Sequence, residues 1–356
     1  MWKIIEIRSS EYMPEIVQMT AEHYGRDNDI SKPSYLEHEY FSNPSGNAII
    51  YIAYDENEHI AAGQVAAIPL IVKNGRGHCK CLLVVNTLTR KAYRAQGVFK
   101  ALASKVFEKA SEDKYAIAYS MPNQYSYPGF LKHHGFSDIG RIPLYVRPIV
   151  PSRLVKSFLH SDLLSSMARI FDAFYRLKDA PKCTLTDFKA GIDKYSAEFW
   201  NAVNGKADVM VVRSSEYLKW RYVDIPFREY RGYYSLHDGV PVAVAVGRNM
   251  KVAGINCAMI ADFIFAEGYE AYAKSALNQL LKDLKEQGAE LAGCMVPRGS
   301  AERKVLREMK FFKCPRVLEP QPFRLIRRQF DLSDDSCSVS ADLNKWFFTL
   351  GDYDVV

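Results

Sequence analysis

The stretch Tyr93-Arg94-Ala95-Gln96-Gly97-Val98-Phe99-Lys100 decides how this chain is read. It follows an apolar strand, Cys81-Leu82-Leu83-Val84-Val85, and opens an amphipathic helix. Val98, Phe99, Leu102, Val106 and Phe107 recur at helical spacing on one face of that helix. A glycine-bearing turn between strand and helix gathers backbone N–H groups and the positive end of the helix dipole in one place. Two linked phosphates fit such a place. Gly97 lets the backbone come close, because no Cβ stands in the way. Arg94 and Lys100 add flanking positive charge.

The surroundings strengthen the reading. A second strand, Tyr115-Ala116-Ile117-Ala118-Tyr119, ends at Met121-Pro122-Asn123, and a further helical stretch closes at His134-Gly135-Phe136. This order of strand, glycine loop, helix, strand, Asn-containing turn and helix ending in Gly-Phe resembles the GNAT acyltransferase superfamily. The resemblance is detailed from Leu82 to Phe136 and looser elsewhere. It implies an acyl-CoA donor, acetyl-CoA by default, with its pyrophosphate on residues Arg94, Ala95, Gln96, Gly97, Val98, Phe99 and Lys100. One position departs from the family pattern: Phe99 stands where glycine or alanine is usual. Its ring must turn away from the phosphates.

At 356 residues the chain is long enough for two domains. With 48% hydrophobic and 25% charged residues it has the balance of an ordinary globular protein. The net charge of +6 favours anionic ligands such as CoA but falls short of a nucleic-acid footprint. The cysteines lack metal-ligand spacing, so no metal is expected. They read as reduced thiols of a cytoplasmic protein. Charges interrupt Met1-Trp2-Lys3-Ile4-Ile5-Glu6, unlike a signal peptide, and no apolar run approaches a membrane span.

The second half repeats the first. Thr87/Asp262, Leu102/Leu277, Val106/Leu281, Pro122/Pro297 and Phe136/Phe311 share one offset. At that offset Tyr269 and Tyr272 replace Arg94 and Gly97, so the second half has no phosphate loop. Each half opens with a hairpin; His237-Asp238-Gly239 is the turn of the second. The expectation is an α/β (α+β) chain of two tandem GNAT-like domains. Each is a mixed, mostly antiparallel sheet flanked by helices. Residues 1–148 form the domain with the acyl-CoA site, 149–182 a linker helix, 183–330 a degenerate second domain and 331–356 a tail packed on a domain. The linker's apolar positions, Leu154, Phe158, Leu163, Met167, Ile170 and Phe174, are expected to dock on a domain, with membrane association the lesser reading. Arg213 to Tyr222 and the closing Trp346…Gly351-Asp352-x-Asp354 pattern resemble tandem GNAT-like proteins of surface-polysaccharide synthesis.

Acyl transfer to an amine needs a polarised carbonyl, a neutral amine and a stabilised leaving thiolate. In the GNAT pattern a backbone N–H on a splayed strand polarises the carbonyl; here that is Leu88-Thr89. Asn123 either binds the CoA arm or fixes its turn. The family's usual thiolate-protonating tyrosine falls on Leu131, and Tyr127 is the substitute chosen, with Tyr125 nearby. No carboxylate stands at Asn86 or Thr87, which leaves Glu22, His23, Asp27 and Glu37 as base candidates. His133 and His134 read as helix C-terminal cations rather than catalytic groups. Asp262 reads as a partnered structural acid or as a cleft residue. The implied partners are acyl-CoA and a small amine such as an amino sugar, with no nucleic acid; the oligomeric state is open. A Fem-like aminoacyl transferase and a non-catalytic CoA-binding scaffold are the rival readings. The Gly97 loop argues against the first; the missing tyrosine at Leu131, the Phe99 departure and the lack of an obvious base keep the second open.

Overall fold

A computed structural model describes residues 1–177, 183–330 and 338–353. The chain divides into two compact units. The first comprises residues 1–140, 224–228 and 324–343, and the second 141–223, 229–323 and 344–356.

In the first unit the strands are β1 (Trp2–Glu6), β2 (Ile49–Asp55), β3 (Ile60–Asn74), β4 (Gly77–Thr89), β5 (Ile117–Ser120) and β6 (Ser137–Arg141). The sheet order is β1-β2-β3-β4-β5, then the strand Arg324–Gln329, then β6. Pairing is antiparallel from β1 to β4, while β4 and β5 run parallel. The helices are α1 (Met13–Tyr24), α2 (Pro33–Phe41), α3 (Val98–Glu112) and α4 (Tyr127–His133). Proline sits in the first turn of α1, α2 and α4, where its missing N–H costs nothing. α3 lays Leu102, Ala103, Val106 and Phe107 on Val65, Ala67, Leu82, Val84 and Ala118 of the sheet. Burying side chains of the larger kind contributes about 1.5–3 kcal/mol apiece.

The second unit repeats the plan. Arg231–His237, Val240–Val252 and Ile255–Phe265 form an antiparallel meander, and Ile255–Phe265 pairs in parallel with Leu291–Met295. Asp238 and Gly239 both have positive φ, 51° and 86°, which the twist of a tight hairpin requires. The helix Glu270–Glu286 takes the place of α3, and its Leu277, Leu280, Leu281 and Leu284 are buried.

The units are not continuous segments. Leu144–Pro148, read from sequence with the first domain, pairs with Leu291–Met295 of the second sheet. Arg324–Gln329, read with the second, pairs with β5 of the first. Strand partners are chosen by pairing across space, which sequence position does not encode. The assumed boundaries at 178–182, 331–337 and 354–356 lie outside the described residues. The tail's Trp346, Phe347 and Phe348 are buried in the second unit, where Phe347 N donates to Val209 O.

Asp262 is a structural acid. It accepts from Arg213 Nη2 (2.9 Å), Tyr222 Oη (2.8 Å) and Thr349 Oγ1 (2.6 Å), and Arg213 also pairs with Asp352 (2.8 Å). Burial works against the Asp262 charge, yet Arg213 holds its carboxyl below the usual range. Burial raises that of Asp352. Gly351 runs so close beneath this cluster that a Cβ there would lie 2.1 Å from Tyr222 Oη. The closing Gly-Asp pattern is therefore a plug that bonds the tail into the second sheet. Arg213→Met should leave two buried carboxylates without their cation and lower unfolding free energy by about 3–5 kcal/mol; urea denaturation measures it, and an unchanged midpoint would refute the assignment.

Candidate active site

The glycine turn has the geometry its sequence predicts. Lys91–Tyr93 form a single 3-10 turn, after which Ala95 and Gly97 both take positive φ, 62° and 76°. Gly97 is the residue on which α3 starts, and no side chain caps the helix there. A Cβ at Gly97 would meet nothing within 4 Å. The glycine is thus dictated by backbone conformation, and the space over it belongs to solvent. Arg94, Ala95, Gln96, Gly97 and Lys100 are exposed, whereas Val98 is buried and can offer only its N–H. Arg94 Nε reaches Thr89 O at 3.4 Å, and Gln96 Nε2 donates to Ala92 O at 2.9 Å. Both bonds brace the loop against β4 and the 3-10 turn.

Phe99 turns away from the loop. Its ring meets Phe130 edge-on at 5.2 Å and His134 at 5.4 Å. The departure from the family pattern therefore anchors α4 to α3. His134 corrects an expectation. At the end of α4 a cation would ordinarily be favoured, but this ring is buried among Phe99, Phe107 and Phe130. Burial, then Arg328, His133 and Lys100, lowers its pKa to about 4. Desolvation and like charge outweigh the helix dipole.

The expected splay is present. β4 and β5 pair only at Cys81/Ile117, Leu82/Ala118 and Leu83/Tyr119, although β4 continues to Thr89. Ser120 Oγ donates to Val84 O just beyond the last pair. A β-bulge lies in the parted segment: Gln64 pairs with Leu88 and Ala66 with Val85, so Asn86 and Thr87 oppose Val65 alone. Asn86 adopts a φ of 47°. Parity corrects the choice of Leu88 as the polarising donor. Arg90 N donates to Ala62 O on β3, so the Leu88 N–H two residues earlier faces β3 as well. The Thr89 N–H faces the opposite, parted side.

The bulge gathers a buried polar cluster that the sequence reading missed. Asn86 Nδ2 donates to Glu39 Oε2 (3.0 Å) and to Tyr40 Oη (2.8 Å). Gln64 Nε2 donates to Tyr40 Oη (3.2 Å), and Tyr35 Oη to Glu39 Oε1 (3.3 Å). Burial, then the neighbouring Glu39, holds the Tyr40 phenol well above its ordinary pKa. Glu39 is a buried carboxylate, 4% exposed, set against the parted strand. A helical wheel carried the signal, because Glu39 shares a face with Tyr35, Leu36 and Tyr40. The earlier base candidates sit differently. Glu22 is exposed and paired with Arg90, and Asp27, Glu37 and the His23 ring are exposed. The His23 pKa is lowered by partial burial and by Arg94.

Asn123 fixes a turn: its Oδ1 accepts from Tyr125 N (2.9 Å) and Ser126 N (3.1 Å). Tyr125 is 84% exposed. Tyr127 donates its hydroxyl to Asp138, which also takes Arg324. Burial, then that bond, raises its pKa.

In the second unit the same strand carries a bulge at Ala261, the counterpart of Asn86. Asp262 and its partners Arg213, Tyr222 and Thr349 fill the place. Where the phosphate turn would lie, His237 and Tyr269 pack beside Tyr272, and Tyr272 Oη lies 2.7 Å from His237 Nδ1.

Residues 4–138 match the acetyltransferase (GNAT) domain family. That match falls within the first unit. No curated protein matches the chain. Among solved structures, it is similar to a probable N-acyltransferase of Enterococcus faecalis (TM-score 0.63, 11% identity), covering 92% of this chain and 72% of that one. It is also similar to a GCN5-related N-acetyltransferase of Anabaena variabilis (0.56, 12%), covering 92% and 73%. A third is the N-myristoyltransferase of Saccharomyces cerevisiae with bound myristoyl-CoA (0.62, 10%), covering 92% and 81%. At these identities the likeness is one of fold. Among the described residues no cluster of three His, Cys, Asp or Glu side chains is placed to hold a metal, and no helix is long and apolar enough to cross a membrane.

The buried His134 of the first unit gives a pH prediction. Its folded pKa, about 4, lies below the ordinary value of 6.5. Its neutral form is therefore favoured by folding, so the contribution is whole above about pH 6.5 and disappears as pH falls toward 4. The most it can amount to is about 3 kcal/mol. The melting temperature of the wild type relative to His134→Phe should fall as pH drops across that window; parallel curves would refute it.

Proposed function

We propose that this chain is an acyl-CoA-dependent N-acyltransferase that moves an acetyl group from acetyl-CoA to the amine of a small molecule such as an amino sugar. The observation that carries this reading is the left-handed turn at Gly97, opening an uncapped α3 beside the parted end of β4. The N–H groups of residues 94–100 receive the diphosphate, and Arg94 and Lys100 offset its charge. The pantetheine arm pairs with the open edge of β4 as an added strand. Asn123 and the Phe99 ring hold α4 beside it.

The amine nitrogen attacks the thioester carbonyl carbon, and a C–N bond forms. Negative charge builds on the carbonyl oxygen, where the Thr89 N–H receives it; one such donor is worth about 10²–10³ in rate. Glu39 takes the proton that the nitrogen gives up. The C–S bond then breaks, and the proton passes by water to the departing thiolate, leaving an amide and free CoA. In this reading Tyr127 anchors α4 through Asp138 and Arg324 rather than acting as the acid.

Calorimetric titration should show saturable acetyl-CoA binding. Gly97→Glu should weaken it by about a hundredfold or more, because a carboxylate facing the phosphates costs several kcal/mol. Equal affinity in the variant would remove the site from this loop. A parallel titration with myristoyl-CoA, the ligand of the yeast enzyme of like fold, reads the acyl length; tighter binding of the long chain would overturn the acetyl assignment. With an amine that supports CoA release, Glu39→Gln should lower kcat by about 10²-fold or more. Acetyl-CoA affinity should not change. A full rate in that variant would exclude Glu39 as the base.

A further inference from the structure

The helical hairpin of residues 151–174 does not dock its apolar face as the sequence suggests. Two helices, Pro151–Leu159 and Asp162–Phe174, lie against one another, tied by Ser152, whose N and Oγ donate to Asp172, and by Ser165 Oγ donating to Ser152 O. Those bonds and the buried Ala168 mark the inner side of the second helix. The outer side is apolar and open: Leu163 is 74% exposed, Met167 66% and Ile170 75%. Phe158, Phe171 and Phe174 are each more than half exposed. A contiguous apolar surface of this kind is uncommon on a chain that stays alone in water.

The charges around that face have one predominant sign. Arg153, Lys156, Arg169 and Arg176 stand in the segment against Asp162 and Asp172. Asp162 is paired with Lys156, and Asp172 is engaged by Ser152. Lys310 adds a cation whose ammonium lies 3.6 Å over the Phe174 ring. Beside the hairpin a cavity of about 550 Å³ is lined by Arg153, Arg176, Lys282 and Lys285, together with Asp172 and Glu286. A face of phenylalanine, leucine, isoleucine and methionine rimmed by arginine and lysine has the composition of a segment lying in a bilayer interface. The basic rim complements an anionic surface, and neither helix is long enough to cross.

We propose that the hairpin 151–174 seats this protein on an anionic lipid surface, with Leu163, Met167, Ile170 and Phe174 among the acyl chains and the basic rim against the headgroups. The second unit would then hold the chain at a membrane while the first carries the acyl-CoA site. This inference stands apart from the assigned chemistry.

The test is cosedimentation of the full chain with phosphatidylcholine vesicles and with vesicles that also contain phosphatidylglycerol. Binding should be strong only to the anionic vesicles and should weaken with salt. Arg169→Gln and Arg176→Gln should each lower the partition coefficient about fivefold. Met167→Glu with Ile170→Glu, both at exposed positions, should abolish binding while the melting temperature and acetyl-CoA affinity stay as in the wild type. Wild-type protein left in the supernatant with anionic vesicles would overturn the proposal. So would full vesicle binding by the double variant. Size-exclusion chromatography of the wild type supplies the remaining arm. A dimer that the double variant dissolves, without vesicle binding, would assign the face to a second copy instead.

Discussion

The parting of two parallel strands is the constraint on which the rest of the first unit depends. β4 and β5 share main-chain bonds only as far as Leu83/Tyr119, and β4 then runs on to Thr89 paired with β3 alone. An unpaired strand edge inside a domain is costly unless something satisfies its N–H and C=O groups. Here the bulge at Asn86 bends the strand, Ser120 covers one carbonyl, and the remaining edge opens toward the turn at Gly97. An extended arm and a diphosphate would meet matching groups there in sequence. Loop, bulge and parted edge are therefore parts of one arrangement.

The second unit shows what the same plan becomes when the opening is filled. It keeps the parallel pair and the bulge, but Asp262 occupies the place beside the bulge and draws in Arg213, Tyr222 and Thr349. Gly351 then fits only because it has no side chain. The place beside the bulge in the second unit is taken up by the chain's own tail. The tail thereby does structural work in the second sheet, and the absent phosphate turn, replaced by Tyr269 and Tyr272, is consistent with that exchange.

Buried polar groups distinguish the units further. In the first, the amides of Gln64 and Asn86 donate to Tyr40, and that of Asn86 also to the Glu39 carboxylate at the parted strand. In the second, the acids face an arginine and are neutralised by it.

Local rules made the glycine turn legible from sequence alone. A glycine between an apolar strand and an amphipathic helix needs a positive φ, and Gly97 has one. The repeat, its hairpins and the missing second phosphate loop were likewise legible, because each rests on periodicity or turn chemistry within a few residues. The splay was expected from family likeness, but which N–H it frees, that of Thr89, follows only from the register with β3. Glu39 was passed over because its role depends on Asn86, far along the chain, and such contacts leave no local trace. His134 changed from an expected cation to a buried neutral ring once Phe99, Phe107 and Phe130 closed around it. The apolar stripe of 151–174 was visible in the sequence, but amphipathicity does not say whether a stripe is covered. Short-range backbone chemistry determined the loops and elements. Tertiary structure decided strand partners, burial and proton affinity, because these depend on what other segments bring to the same place.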